Sequence, residues 1–399
     1  MSVHPERKRV LFLETGRHGG GSFHSLHQTI CALDKARIEP IVFFTADTYH
    51  TERYRESGIE CHVIDDHYYP EDFSTARTNR LLKWRKRIFL RWDRLTIPFL
   101  RCLHARAIRQ MASKLRGRPV DIVHLNNTPY RNLFGAFLAE RLKAVCTSHV
   151  RSTNSGEFNA QMAEYCRKHI KLYVTIARET QDYWVSKGLP EDQMELIYNG
   201  IEEQPVSKID LHKEFNLPSS ASHIICAVGM LIAIKGHAFL LEAFSKCTRL
   251  EHAALIIVGQ GPLEEELKQR CRQLGIADRV RLTGHRPDAR SIIASSDLHV
   301  LPSTKEPFGR VIVESAQAGV ATIATAEGGP AEIIADGIDG LLVKYGDADS
   351  LARAIDELIN SPTRLAQLSN AALQRIPPRY TVERNAEEFW SALKSTLAQ

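Results

Sequence analysis

The stretch Leu298-His-Val-Leu301-Pro-Ser303-Thr-Lys-Glu306-Pro-Phe308-Gly309-Arg310-Val-Ile-Val-Glu314-Ser-Ala-Gln-Ala-Gly319 decides how the chain folds. Leu298–Leu301 is a short apolar run of strand character. A polar loop carrying Pro307 and Gly309 follows it. A helical pattern then runs towards Gly319, a residue suited to ending a helix. The same alternation recurs on both sides. Val10–Leu13, Ile41–Phe44, His62–Ile64, Ile122–Leu125, Val145–Ser148 and Tyr173–Ile176 read as strands in the first half. Ile224–Gly229, Ala254–Val258, Val280–Thr283, Thr322–Thr325 and Leu341–Val343 join Leu298–Leu301 in the second. Near-continuous apolar strands separated by helices predict parallel sheets covered on both faces.

At 399 residues the chain is long enough for two such domains. The boundary is expected near Asn199–Pro218, where the turn pair Asn199-Gly200 leads into a polar stretch with Pro205 and Pro218. We therefore expect α/β domains at 1–200 and 201–376. Residues 377–399 are expected to form a C-terminal helix packing back towards the first domain, with Phe389, Trp390, Leu393 and Leu397 at helical spacing.

Composition is that of an ordinary globular enzyme, 43% hydrophobic and 25% charged. The first apolar run, Val10–Leu13, is far shorter than a secretory signal or a spanning helix of about 18 residues, so a cytoplasmic location is expected. Eight scattered cysteines, without a C-x-x-C pair or zinc-type spacing, read as free and mostly buried thiols. The net charge of +5 conceals a basic segment. Between Arg77 and Arg118 stand fourteen Lys and Arg against the single acid Asp93, so the rest of the chain is net acidic. Interleaved Leu81, Trp84, Phe89, Trp92, Phe99 and Leu100 suit a helix lying on an anionic membrane surface. Packing of those apolar positions on the first domain is the competing reading. No reader motif for nucleic acid accompanies the charge, so none is expected as a partner.

Two loops carry chemistry. Gly16-Arg-His-Gly19-Gly20-Gly21-Ser22 follows the first strand, where glycines let backbone approach a ligand and a helix start offers N–H groups to an anion. It lacks a P-loop lysine and the dinucleotide glycine pattern; a plain β–α turn remains the alternative. In the second loop, Glu306 can bond sugar hydroxyls or stabilise positive charge. Gly309 opens a helix whose end can cradle a diphosphate, and Glu314 can reach a ribose. Asp347-Ala-Asp349 imitates a metal-binding D-x-D, but its place before a helical pattern predicts capping instead. Ser303 and His299 lack the surroundings of a hydrolase nucleophile.

Taken together, Glu306-Pro-Phe-Gly-x4-Glu314, Ala318-Gly319 and Ala326-Glu-Gly-Gly-Pro-Ala-Glu332 resemble the E-x7-E region of the retaining glycosyltransferase family 4, of GT-B fold. Val228-Gly229 with Lys235-Gly236, Val258-Gly-Gln-Gly-Pro262, Leu282-Thr-Gly-His285, Val123-His124, Thr147-Ser-His149 and Ile197-Tyr-Asn-Gly200 are similar to further motifs of that family, in its order. The resemblance implies two Rossmann-like domains facing across a cleft and transfer of a hexose, with retention, from a nucleotide diphosphate sugar. The acceptor would be a glycan or lipid-linked saccharide. It implies no cofactor and no metal. Glu306 would contact the hexose and Glu314 the ribose. Lys235, Gly309, Arg310, Phe308 and Gly229 would form the donor side. Gly19, Gly20, Gly21, Ser22 and Asn126 would serve the phosphate or acceptor side, and His149 would bond a donor hydroxyl. Family members commonly carry Arg where this chain has Met230, which makes Arg310 and Arg286 the candidates for a replacement cation. A GT-B nucleotide-sugar epimerase and a catalytically silent partner-binding subunit are the competing functions.

Overall fold

In a computed structural model of the chain, residues 7–15, 21–64, 96–153, 156 and 158–398 are described. They form two compact units: Met1–Gly200 with Val382–Gln399, and Ile201–Thr381.

The first unit is built on seven strands: β1 (Lys8–Glu14), β2 (Ile38–Phe44), β3 (Glu60–Val63), β4 (Ile122–Leu125), β5 (Val145–Val150), β6 (Ile170–Thr175) and β7 (Met194–Leu196). All pair in parallel, in the order β3-β2-β1-β4-β5-β6-β7. The second unit has β8 (His223–Val228), β9 (Ala253–Val258), β10 (Val280–Leu282), β11 (Leu298–Leu301), β12 (Ala321–Thr325) and β13 (Leu341–Val343), in the order β10-β9-β8-β11-β12-β13. Each sheet is doubly wound, because helices on both faces bury strands such as β9 completely. The order in which strands are added reverses at β1/β4 in one sheet and at β8/β11 in the other, with every pair still parallel. Ligands of open α/β sheets bind beyond the carboxyl ends of strands at such switch points.

The C-terminal helix Val382–Ser395 belongs to the first unit, where Phe389 and Leu393 join a core of Val10, Phe12, Leu26 and Ile122. The described part of the basic segment holds two helices, Thr96–Leu103 and Ala105–Lys114. Leu100, Ile108, Met111 and Leu115 are buried in the unit's own core, and Phe99 packs against it. Arg101 binds Glu140 and lies 5.0 Å over the Phe137 ring. Residues 96–118 therefore follow the packing reading rather than the membrane reading; residues 77–95 lie outside the described residues. Among the described residues no helix is long and apolar enough to cross a membrane. The cysteines divide: Cys146, Cys166, Cys226, Cys247 and Cys271 are buried, whereas Cys31 and Cys102 are exposed, which corrects the expectation for those two. Asp347 caps the helix Ala348–Ile359 by accepting from the Ser350 N–H at 2.9 Å, as its place in the sequence predicts.

Candidate functional site

In the second unit the turn after β8 is shaped by glycines. Gly236 adopts φ +68°, and a Cβ there would fall 1.9 Å from the Pro302 carbonyl oxygen. Only glycine lets this turn lie against the residue that follows β11, and the contact fixes the preceding residue, Lys235. Its Nζ reaches Glu306 Oε2 at 2.6 Å, with the two side chains 20% and 10% exposed. The Glu306 loop is held from the other side, where its carbonyl accepts from the Gly329 N–H at 2.9 Å. A Cβ on Gly329 would sit 2.3 Å from Phe308 Cα, so this approach too depends on glycine.

Gly309, at φ +93°, is the N-cap of helix Arg310–Gln317. The first turn of that helix carries no acidic side chain, so its N–H groups and partial positive charge remain suited to an anion. One turn on, Glu314 Oε1 lies 3.4 Å from Arg290 Nη2 and 3.7 Å from Arg310 Nη2. A lysine, a carboxylate, a helix start and a second carboxylate framed by two guanidinium groups thus share the carboxyl ends of β8 and β11.

Two expectations meet a different environment. Arg286 is held by Asp288 through two hydrogen bonds of 2.7 Å and by Glu214 at 2.7 Å, so it is already neutralised and supplies no spare cation. Arg290, which the sequence reading missed, stands beside Glu314 instead. Phe308 is buried with its ring edge 5.5 Å from Tyr380, so the side chain braces the loop. Met230 is 46% exposed on the turn after Gly229. Among the described residues no group of His, Cys, Asp or Glu is arranged to hold a metal ion.

The first unit presents a buried polar network at its own switch point. Glu14 ends β1, fully buried, and accepts from the side-chain amides of Asn126 and, at 2.8 Å, Asn127. Burial pushes its carboxyl up to about 8, against the pull of the two amides and of the Arg151 guanidinium. Arg151 donates to Asn126 Oδ1 at 2.7 Å and to Asn199 Oδ1 at 2.5 Å. Asn126 is where the sequence reading put it, after β4; Glu14, Asn127 and Arg151 were missed. For Glu14 and Arg151 the signal was a lone ionisable residue at the end of a buried strand. His149, 2% exposed, shares a 2.7 Å bond between its Nδ1 and His124 Nε2. Burial and the Arg151 charge hold both imidazoles well below the ordinary histidine value, hence neutral. Gly21 and Ser22 open the helix Gly21–Ala32; Gly19 and Gly20 lie outside the described residues.

Family models describe the chain almost continuously. Residues 208–375 match "Glycosyl transferases group 1", and residues 19–204 match "Glycosyltransferase Family 4". The lipopolysaccharide core biosynthesis glycosyltransferase LpsE of Rhizobium meliloti is 35% identical over 153 residues, 38% of this chain and 44% of that protein. The N-acetyl-alpha-D-glucosaminyl L-malate synthase of Bacillus anthracis is 29% identical over 291 residues, 70% of this chain and 76% of that one. Among solved structures, Anabaena HepE in complex with UDP-glucose superposes with a TM-score of 0.78 at 20% identity, covering 97% of this chain and 99% of its own. The two doubly wound sheets and this likeness are those of the GT-B fold.

Proposed function

The chain belongs to glycosyltransferase family 4, and on that footing we propose that it transfers a hexose, with retention, from a nucleotide diphosphate sugar to a glycan or lipid-linked acceptor in surface polysaccharide or lipopolysaccharide synthesis. The observation that carries this reading is the Lys235–Glu306 pair, 2.6 Å apart beside the start of helix Arg310–Gln317. A diphosphate needs fixed cations and N–H donors, and the sugar it carries needs a carboxylate for its hydroxyls. This arrangement offers both within one unit. As the bond from the anomeric carbon to the diphosphate breaks, negative charge grows on the leaving oxygen. Lys235 and the helix N–H groups would meet it, which is the main electrostatic lever of such a site and would stand in for a metal. Glu314 would hold the ribose. Anabaena HepE was crystallised with UDP-glucose and the Rhizobium relative acts in lipopolysaccharide core biosynthesis, which supports the donor class and the direction of the pathway. For the first unit we propose acceptor recognition, with Asn126 and the Gly21–Ser22 helix start on its carboxyl edge. Contact with an anionic membrane is proposed for residues 77–95 alone, and salt-sensitive flotation with anionic vesicles tests it.

The test is a thermal-shift screen against UDP, GDP, ADP, CMP and their sugar conjugates. One diphosphate at 100 times its dissociation constant should add about 2.7 kcal/mol, and replacing Lys235 should cut that response by half or more. Silence towards every nucleotide would sink the reading. The exposed Met230 favours one second reading, a catalytically silent subunit. Glu306→Ala, which should stop turnover, would then leave the protein's role unchanged.

A further inference from the structure

The first unit carries a second cluster, which the reading above leaves unused. It lies where helices Gly21–Ala32 and Tyr49–Glu56 begin, past the carboxyl ends of β1 and β2. Tyr49 is 63% exposed, yet its ring rests on His50, with centroids 3.9 Å apart. His50 is 1% exposed, stacked on Phe23 at 4.9 Å and edge-on to His24 at 5.0 Å. Its Nε2 has no hydrogen-bond partner among the described residues. One helical turn beyond Tyr49, the half-buried Arg53 donates Nη1 to His24 Nδ1 at 2.7 Å. A guanidinium cannot accept, so Nδ1 carries no proton and the positive charge of the pair rests on Arg53. Among the described residues no carboxylate lies within ion-pair distance of Arg53. Its neighbour Arg55, by contrast, pairs with Glu52 at 3.0 Å and Asp47 at 3.9 Å.

A single exposed tyrosine on a helix is ordinary surface. A guanidinium with no carboxylate partner among the described residues, set beside a buried imidazole whose Nε2 has no partner there either, is not, because such groups normally find one. We propose that Tyr49, His50 and Arg53 form the acceptor-sugar subsite and select a saccharide that bears an anionic group, a phosphate or a carboxylate. The Tyr49 ring takes the C–H face of a pyranose, Arg53 takes the anion in a forked contact, and the buried His50 backs the Tyr49 ring. The word acceptor rests on the transferase reading; the preference for an anionic saccharide does not.

The experiment uses the intact protein on an array of matched neutral, phosphorylated and uronic-acid saccharides, with inorganic phosphate as competitor. Anionic members should bind at least about tenfold more tightly than their neutral counterparts, as expected for one charge-assisted contact. Arg53→Gln should erase that preference, and Tyr49→Ala should weaken all saccharide binding. Neither partly exposed side chain is needed for the core, and melting temperatures of both variants check this. Retention of only the phosphorylated or only the uronic members identifies the anion. No retention, equal retention of neutral and anionic partners, or a preference that survives Arg53→Gln overturns the proposal. So does binding of inorganic phosphate as tight as that of the sugars and indifferent to Tyr49→Ala. A UDP thermal shift on the same preparations separates the two readings. A nucleotide response without anion preference overturns the subsite alone, and anion preference without any nucleotide response overturns the transferase reading alone.

Discussion

Lys235 and Glu306 neutralise each other at 2.6 Å, so a diphosphate that binds Lys235 has to compete with that carboxylate. The two partners should therefore fail differently. Lys235→Ala removes a charge-assisted contact and should weaken UDP binding by roughly 10- to 100-fold, or 1.5–3 kcal/mol. Glu306→Gln removes the competitor, so UDP affinity should hold or rise while kcat collapses. Calorimetric titration of UDP with turnover of each variant checks the split; a matching loss of affinity in both would contradict it. Glu14 allows a second prediction. Its carboxyl is raised by burial from the ordinary 4.5 to about 8, so it stays protonated in the fold when the unfolded chain has ionised. That contribution to stability is fully present below pH 4.5 and is lost as pH rises towards 8. Glu14→Gln has no proton to lose. Between those pH values its stability relative to wild type should improve by on the order of a few kcal/mol, whatever constant offset the changed hydrogen bonds with Asn126 and Asn127 introduce. Melting temperatures of both proteins across that range decide it, and a gap that does not change with pH would refute it.

The loops that make the site are short, and their glycines do unequal work. Gly236 and Gly275 share nearly the same backbone, φ +68° and +69°, but a Cβ on Gly236 would meet the Pro302 carbonyl at 1.9 Å while one on Gly275 meets nothing within 4 Å. Gly275→Ala should cost only the left-handed strain, about 1–2 kcal/mol, and leave UDP binding intact. Gly236→Ala should cost more and carry Lys235 away from Glu306, so the UDP-induced shift should shrink although no ligand-binding side chain has changed. Thermal shift with and without UDP on the two variants measures the difference. At this scale much was legible in advance. The apolar strand runs named from sequence all appear, displaced at their ends by a few residues, because strands buried on both faces cannot hide their composition. The E-x7-E loop was legible too, since its residues lie in one segment. The packing of Phe308 on Tyr380 and the capture of Arg286 by Glu214 and Asp288 were not, because those partners come from elsewhere in the chain or depend on side-chain direction. The Glu14–Asn126–Arg151–Asn199 network escaped for the same reason: its members lie on four separate segments that only the parallel order of β1, β4 and β5 brings together.

On the scale of the chain, the last helix completes a unit begun nearly four hundred residues earlier. Helical spacing of Phe389, Trp390 and Leu393 announces the helix, expected to return to the first domain, but the period does not say which residues there receive it. They prove to be those of the first unit's core. Asn385 accepts from Thr29 at 2.6 Å and donates to the Tyr198 carbonyl at 2.7 Å. Phe389, wholly buried, has its ring 6.4 Å from Phe12 and 5.0 Å from both His124 and His149. One aromatic side chain thus fills the core and braces the imidazole pair at the carboxyl end of the sheet. Phe389→Ala should remove about 3–5 kcal/mol from the first unit. Since Phe389 belongs to the core of the first unit and the donor-side residues belong to the second, UDP affinity should stay within about twofold of wild type, below the error of roughly half a kcal/mol expected for additivity between independent sites. Turnover should fall further than stability alone explains, because the His124–His149 pair loses the ring that fixes its orientation. Differential scanning calorimetry, UDP titration and turnover of this one variant separate the three effects. An unchanged melting profile would mean the helix is not part of the core, and a parallel loss of UDP affinity would mean its influence extends to the donor side.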